Sequence, residues 1–237
     1  MLSIVFSPIV SGMRLNSSSK ASRPDSNRAE CGRPERSVVH HLSLSGSLNS
    51  NGTFINGFLK KTVALVACHG VARLDPAKSS YRGWECIFYV KGKKVAAKPP
   101  DRFKPESLTF EKFMGLEILT LPKTFSRNLA LDRSEIGVAP AGTVEAVLTG
   151  YTRGNFYEIS GRTGAMMDAL GCVSFFPNAE DVTRQHLQEP DGLSGSPMFL
   201  KGTNTLIGVH VVCNHQNQFG EWGFIPVTVR KIEELLR

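Results

Sequence analysis

The sequence predicts an all-β protein of two packed β-barrels, with one C-terminal helix and a disordered N-terminal arm. Three observations carry this expectation. Short apolar runs rich in β-branched residues recur from Val38 onward, parted by Gly, Asn, Pro and Ser clusters, the pattern of many short strands. The runs fall into two series joined by a turn-rich stretch over residues 132–142. Only residues 229–236, reading VRKIEELL, repeat their apolar positions at the helical period.

The elements follow in chain order. Residues 12–36 carry six Lys/Arg against three Asp/Glu and almost no apolar periodicity. Such a segment cannot bury enough surface to offset its ordering entropy, so residues 1–37 are expected to be a disordered basic arm. Residues 38–132 are expected to form the N-terminal barrel and residues 133–237 the C-terminal barrel. In the first series, residues 39–44 alternate in part, Asn49-Ser50-Asn51-Gly52 reads as a turn, and residues 53–59 and 62–68 read as strands. Residues 85–90 run into Lys91-Gly92-Lys93, a hairpin turn, and residues 116–121 form a strand stopped by Pro122. The second series begins at residues 143–148 and continues through 172–176, 197–200, 206–212 and 222–227.

Composition bounds the function classes. The 237 residues are 41% hydrophobic and 21% charged, enough for a real core. No apolar run reaches the roughly 18 residues that suggest a membrane span. The opening Met1-Leu2-Ser3-Ile4-Val5-Phe6 has no basic residue before it, which makes it a poor secretory signal. Five cysteines, at positions 31, 68, 86, 172 and 213, include no CxxC pair; they argue against a disulfide framework and a zinc site, and for reducing, cytosol-like surroundings. The net charge of +7 permits weak, non-specific attraction to RNA or an anionic surface. Neither a metal nor an organic cofactor is expected.

One motif carries chemistry. Gly192-Leu193-Ser194-Gly195-Ser196-Pro197 has the make-up of a nucleophile loop. A glycine two before the serine can take a backbone angle that turns its N–H toward the serine's own, and two converging N–H groups make an oxyanion hole. Gly195 leaves room for substrate, and Pro197 can open the next strand. Upstream, Ala64-Leu65-Val66-Ala67-Cys68-His69-Gly70 places a histidine just past an apolar strand.

With that strand in place, the chain resembles the chymotrypsin-like proteases, whose catalytic histidine follows a Val-Leu-Thr-Ala-Ala-His type strand. The resemblance implies two six-stranded Greek-key barrels. It also implies His69 as general base for Ser194, with the N–H groups of Gly192 and Ser194 as the oxyanion hole. The family's third member is an acid opening a short strand between the two. Phe113-Met114-Gly115-Leu116-Glu117-Ile118-Leu119 resembles that strand, but a straight alignment puts Gly115 where the aspartate should stand. Glu117, two residues on and therefore on the same strand face, is taken as the acid; Asp101 and Glu111 are weaker rivals. With no acid, a Ser–His dyad at reduced rate remains.

The C-terminal third narrows the resemblance. Gly208-Val209-His210-Val211-Val212-Cys213-Asn214 followed by Ile225-Pro226-Val227 is similar to the Gly-Ile/Val-His segment of picornavirus 3C-like and potyvirus nuclear-inclusion proteases. The similarity implies that His210, with Val211 beside it, lines the pocket for the residue before the scissile bond and hydrogen-bonds a Gln or Glu side chain. Those enzymes use cysteine where this chain has Ser194; sobemovirus, astrovirus and arterivirus proteases have the serine form. Glu189 stands where the serine relatives tend to place a threonine wall, so it is included as substrate-binding. The implied function is polyprotein processing in a host cytoplasm, on a polypeptide substrate that includes the protein's own precursor. The alternatives are a cellular trypsin-like peptidase, against which His210 argues, and a non-catalytic barrel module with RNA affinity.

Overall fold

Strands form where the sequence alternates apolar and polar residues, and in this protein they assemble into two principal sheets. The computed structural model describes residues 38–43, 49–58, 61–75, 80–83, 86–90, 93–125, 130–152, 155–167, 171–185, 187, 192–213 and 222–237. The arm expected over residues 1–37 lies outside them, as does Glu189.

The first sheet runs in the order β7 (Lys93–Ala97), β6 (Cys86–Val90), β1 (Val38–Ser43), β2 (Asn49–Phe58), β3 (Lys61–Ala67) and β8 (Leu116–Thr120). Its two edges meet at one bridge, where Lys98 and Thr120 exchange backbone hydrogen bonds of 3.0 and 2.8 Å. Strands β4 (Ala72–Asp75) and β5 (Ser80–Gly83) form a separate hairpin.

The second sheet closes into a barrel. It takes β9 (Glu145–Thr152), β10 (Asn155–Met167), β11 (Cys172–Pro177), β12 (Pro197–Leu200), β13 (Leu206–Cys213) and β14 (Trp222–Pro226) in the order β10-β11-β14-β13-β12-β9. Closure is a full ladder here, whereas among the described residues the first sheet is joined only by the Lys98–Thr120 bridge. Among the described residues three α-helices accompany the sheets: α1 (Phe110–Phe113), α2 (Ala179–Arg184) and α3 (Val229–Leu236). None of them is long and apolar enough to cross a membrane.

Alternation explains how the two sheets share a core. In β3, Ala64 and Val66 face inward with Phe54, Phe88 and Leu119, while Leu65 and Ala67 face outward, as the two-residue period of a strand requires. The outward set meets Phe199, Val209, Val211 and Ile232 in one buried cluster. Full burial of such side chains contributes about 1.5–3 kcal/mol each. Helix α3 enters through Ile232, on the apolar stripe that its sequence period implies, and Thr228 caps it by accepting from the Lys231 N–H at 3.1 Å.

One sequence expectation changes, and one strand appears that the sequence did not announce. Asn49 to Gly52 is not a turn but the opening of β2. Gly52 is there because a Cβ would come within 2.6 Å of the Phe88 ring, and Asn51 because its amide has distant partners, described below. Strand β10 has no clear sequence signature, because Gly161 and Gly164 break its alternation. Both glycines lie under aromatic rings: a Cβ on either would come within 2.6 Å of Phe175 or Phe176. Close packing, not a turn, demands them.

Candidate active site

Strand β3 ends at Ala67, and the chain turns through a short 3-10 segment, Cys68–Gly70. The Cys68 N–H donates to the Gly115 carbonyl at 2.9 Å, tying the turn to the segment before β8. His69 projects from it. Its Nε2 lies 2.8 Å from the Ser194 Oγ, and the Phe113 ring stands 6.0 Å away on another side. With the proton on Nδ1, the hydroxyl donates to Nε2, the arrangement a general base needs. Burial pushes the His69 pKa down to about 4, so the ring is neutral at neutral pH.

The serine sits in a loop braced at every peptide around it. Gly192 and Gly195 take φ of +96° and +85°, angles that favour glycine. Leu193 is wholly buried in the core of the closed barrel. The Ser196 N–H donates to the Leu193 carbonyl at 3.0 Å, the Gly195 N–H to the His210 carbonyl at 2.8 Å, and the His210 N–H to the Ser196 carbonyl at 2.8 Å. Pro197 then opens β12, as its missing donor allows.

The first sheet reaches across to the same loop through a residue that carries no signal in the sequence. Asn51 is fully buried. Its Nδ2 donates to the Gly192 carbonyl at 2.6 Å and to the Tyr151 carbonyl at 2.9 Å, while its Oδ1 accepts from the Tyr151 N–H at 2.8 Å. Its own N–H donates to the Ser194 carbonyl at 2.6 Å. Thr53, two residues on, donates its hydroxyl to the Gly195 carbonyl at 3.1 Å. An asparagine in a Ser/Asn/Gly run reads as a turn residue, and only distant chain reveals its use.

The expected acid is engaged elsewhere. Glu117 is buried, but its Oε1 accepts from Arg102 at 2.9 Å and from the Ile118 N–H at 2.8 Å. The His69 Nδ1 is buried and has no hydrogen-bond partner among the described residues. Register is the reason. Glu117 pairs with Val66 and Leu116 with Ala67, so Gly115 is level with the histidine turn and Glu117 lies two residues further along, about 6.6 Å. With Arg102 and Cys68 it lines a cavity of about 440 Å³ that neither His69 nor Ser194 borders. Burial, and then Glu117, push the Cys68 thiol up to about 12, leaving it inert. Glu111 is exposed; its own backbone N–H and Thr109 hold its carboxyl below the usual range. Asp101 is exposed as well. Replacing Glu117 with Gln should therefore leave catalysis within about twofold while costing about 1 kcal/mol of stability, a charged hydrogen bond discounted for the half-open Arg102. Labelling rates with a fluorophosphonate, beside thermal midpoints, check this.

His210 lies on β13, buried, with its ring 5.7 Å from that of Trp222. Burial first, then the nearness of His69, push its pKa down to about 3, against a backbone hydrogen bond at Gly223. Val211, next to it, is 2% exposed and packs in the cluster shared by the two sheets.

Solved structures show the same fold. A thermostable serine protease from an extremophilic microorganism matches at TM-score 0.59 and 11% identity, over 85% of this chain and 95% of that one. A human pathogenic astrovirus serine protease matches at 0.55 and 13%, over 83% and 93%. Catalytically active tobacco etch virus protease, complexed with product, matches at 0.53 and 12%, over 86% and 78%. No protein-family model matches the sequence, and no curated protein is significantly similar to it. The fold is that of the chymotrypsin-like serine proteases.

Proposed function

We propose that the chain is a serine endopeptidase of the polyprotein-processing type, with its base on residues 38–132, its nucleophile on residues 133–237, and a preference for cutting after Gln. The observation that carries the reading is the 2.8 Å contact between His69 Nε2 and Ser194 Oγ, beside a glycine-bounded loop. Ser194 Oγ attacks the peptide carbonyl carbon as its proton passes to His69. The N–H groups of Gly192 and Ser194 hold the oxyanion. The C–N bond then breaks, the leaving amine takes the proton from His69, and water attacks the acyl ester to restore the hydroxyl. With Glu117 engaged by Arg102, the catalytic unit among the described residues is a Ser–His dyad.

His210 supports the side-chain preference. It is buried on the strand that bonds the nucleophile loop, and a neutral ring offers no charge to offset a buried carboxylate. The carboxamide of Gln is therefore favoured over Glu. A pocket that hydrogen-bonds its substrate rejects analogues lacking the partner group by up to about 10⁴–10⁵. Replacing His210 with Ala should flatten the preference in a peptide library while Ser194 still reacts with a fluorophosphonate. An unchanged profile would remove the assignment.

The test of the reading as a whole is expression with flanking precursor sequence, comparing the natural chain with Ser194→Ala. Cleavage should stop in the variant. Equal cleavage in both, or none in either, would favour a non-catalytic barrel module.

A further inference from the structure

Gly192 and Ser194 supply the two N–H groups of the proposed oxyanion hole, and the carbonyls of those same two residues end on one side chain and one amide of the opposite sheet. We propose that Asn51 is a positioning residue for catalysis, holding the oxyanion hole open from behind. The inference rests on the serine endopeptidase reading and deepens it.

The geometry is specific. The Asn51 side-chain amide takes the Gly192 carbonyl at 2.6 Å and its backbone N–H takes the Ser194 carbonyl at 2.6 Å. Each carbonyl belongs to the peptide plane that follows its residue. Those planes are held at a buried point with Gly192 at φ +96°, and no described backbone carbonyl takes the N–H of Gly192 or Ser194. The clamp is itself rigid. The Asn51 amide donates to the Tyr151 carbonyl and accepts from the Tyr151 N–H, at 2.9 and 2.8 Å, so it is anchored to the wall of the closed barrel. There is no slack behind it: a Cβ on Gly195 would come within 1.9 Å of the Asn51 carbonyl oxygen.

The residue type follows. Donating to two carbonyls while accepting from an N–H requires a side-chain amide. Aspartate has the shape and lacks both donors. Alanine would leave buried carbonyls unsatisfied, and glutamine reaches one methylene too far. Preorganised donors stabilise charge only while they point at it, so a loosened clamp is read as lost rate and not merely as lost stability.

The experiment uses the full chain and a neutral fluorophosphonate probe, which reports the nucleophile and the hole without a peptide sequence. Wild type should label and Ser194→Ala should not; if wild type fails to label, the endopeptidase reading falls and this inference with it. Given labelling, Asn51→Asp should lower the second-order rate by about 10², the scale for loss of an oxyanion donor. The low-pH midpoint set by His69 should not move, showing that the base is intact. Asn51→Ser, which adds no charge and leaves room for water, carries the same expectation should the aspartate variant fail to fold. Thr53→Val is the comparator, since it removes an inter-sheet hydrogen bond to the same loop at Gly195, outside the pair. Its rate should fall at least tenfold less for a similar shift in thermal midpoint. Folded Asn51 variants that label at the wild-type rate, or a Thr53→Val drop as large as theirs, would overturn the proposal and leave Asn51 as a tether.

Discussion

Substitution of Ser194 by Ala should abolish both peptide cleavage and fluorophosphonate labelling, and His69→Ala should lower both by about 10⁴ to 10⁶, the range found where nucleophile and base act as a unit. The reason is spatial. The two side chains come from segments brought together only in the folded state, and their 2.8 Å contact is the first leg of the proton path from hydroxyl to leaving group. Because they act together, the double variant should be no slower than the worse single one. What remains should be the rate that binding and the Gly192 and Ser194 donors sustain alone. Ser194→Ala removes one oxygen from a half-buried position, so its thermal midpoint should stay close to wild type. A Ser194→Ala protein that still cleaves would end the endopeptidase reading.

The second large effect is on pH. An imidazole acts as base only when neutral, and an ordinary histidine is half protonated near pH 6.5. Burial pushes His69 down to about 4, so labelling should be flat from about pH 6 upward and fall about tenfold per unit below pH 4. The same burial has a cost in rate. A ring that resists protonation is a weak base, and the His69 Nδ1 has no acceptor among the described residues to steady the imidazolium. Turnover should thus be slow for a protease of this fold, though tolerant of acid. Stability moves with the same groups. The folded pKa values of His69 and His210, about 4 and about 3, lie below the unfolded value. As pH falls through 6.5 the unfolded chain takes up protons that the folded chain refuses, and stability declines. The decline contributed by His69 ends near pH 4 and that of His210 near pH 3; above 6.5 neither contributes a slope. Urea midpoints across about pH 3 to 8 test the stability limb. A labelling midpoint between about pH 6 and 7, where an unperturbed imidazole titrates, would contradict the lowered pKa of His69.

Much of this architecture is legible in the amino-acid order itself. Leu65 and Val66 announce a strand buried on both faces, the helical period at residues 229–236 announces α3, and the Gly192 to Pro197 run announces a loop that needs left-handed angles. These are local properties, set by sterics and by which side of a strand a residue faces. The local pattern misleads where a residue's reason lies elsewhere in the chain. Gly161 and Gly164 have the look of turn formers, yet Phe175 and Phe176 above them are what require glycine. Asn51 has the same look, and its amide serves Tyr151 and Gly192. Glu117 shares a strand face with the right neighbours, yet one pleat of register gives it to Arg102 instead of His69.

The amino-acid order alone thus determined the strand-rich architecture and the terminal helix, because short-range sterics and apolar period write those features into neighbouring residues; it was the family resemblance that pointed to Ser194 and His69. The packing of one sheet against the other decided that Glu117 meets Arg102 and not the imidazole, that Val211 faces the core, and that Asn51 grips the loop around Ser194. Those outcomes depend on ångström-scale distances between segments 100 and 141 residues apart, and no local pattern encodes a separation that exists only once both segments have been buried together.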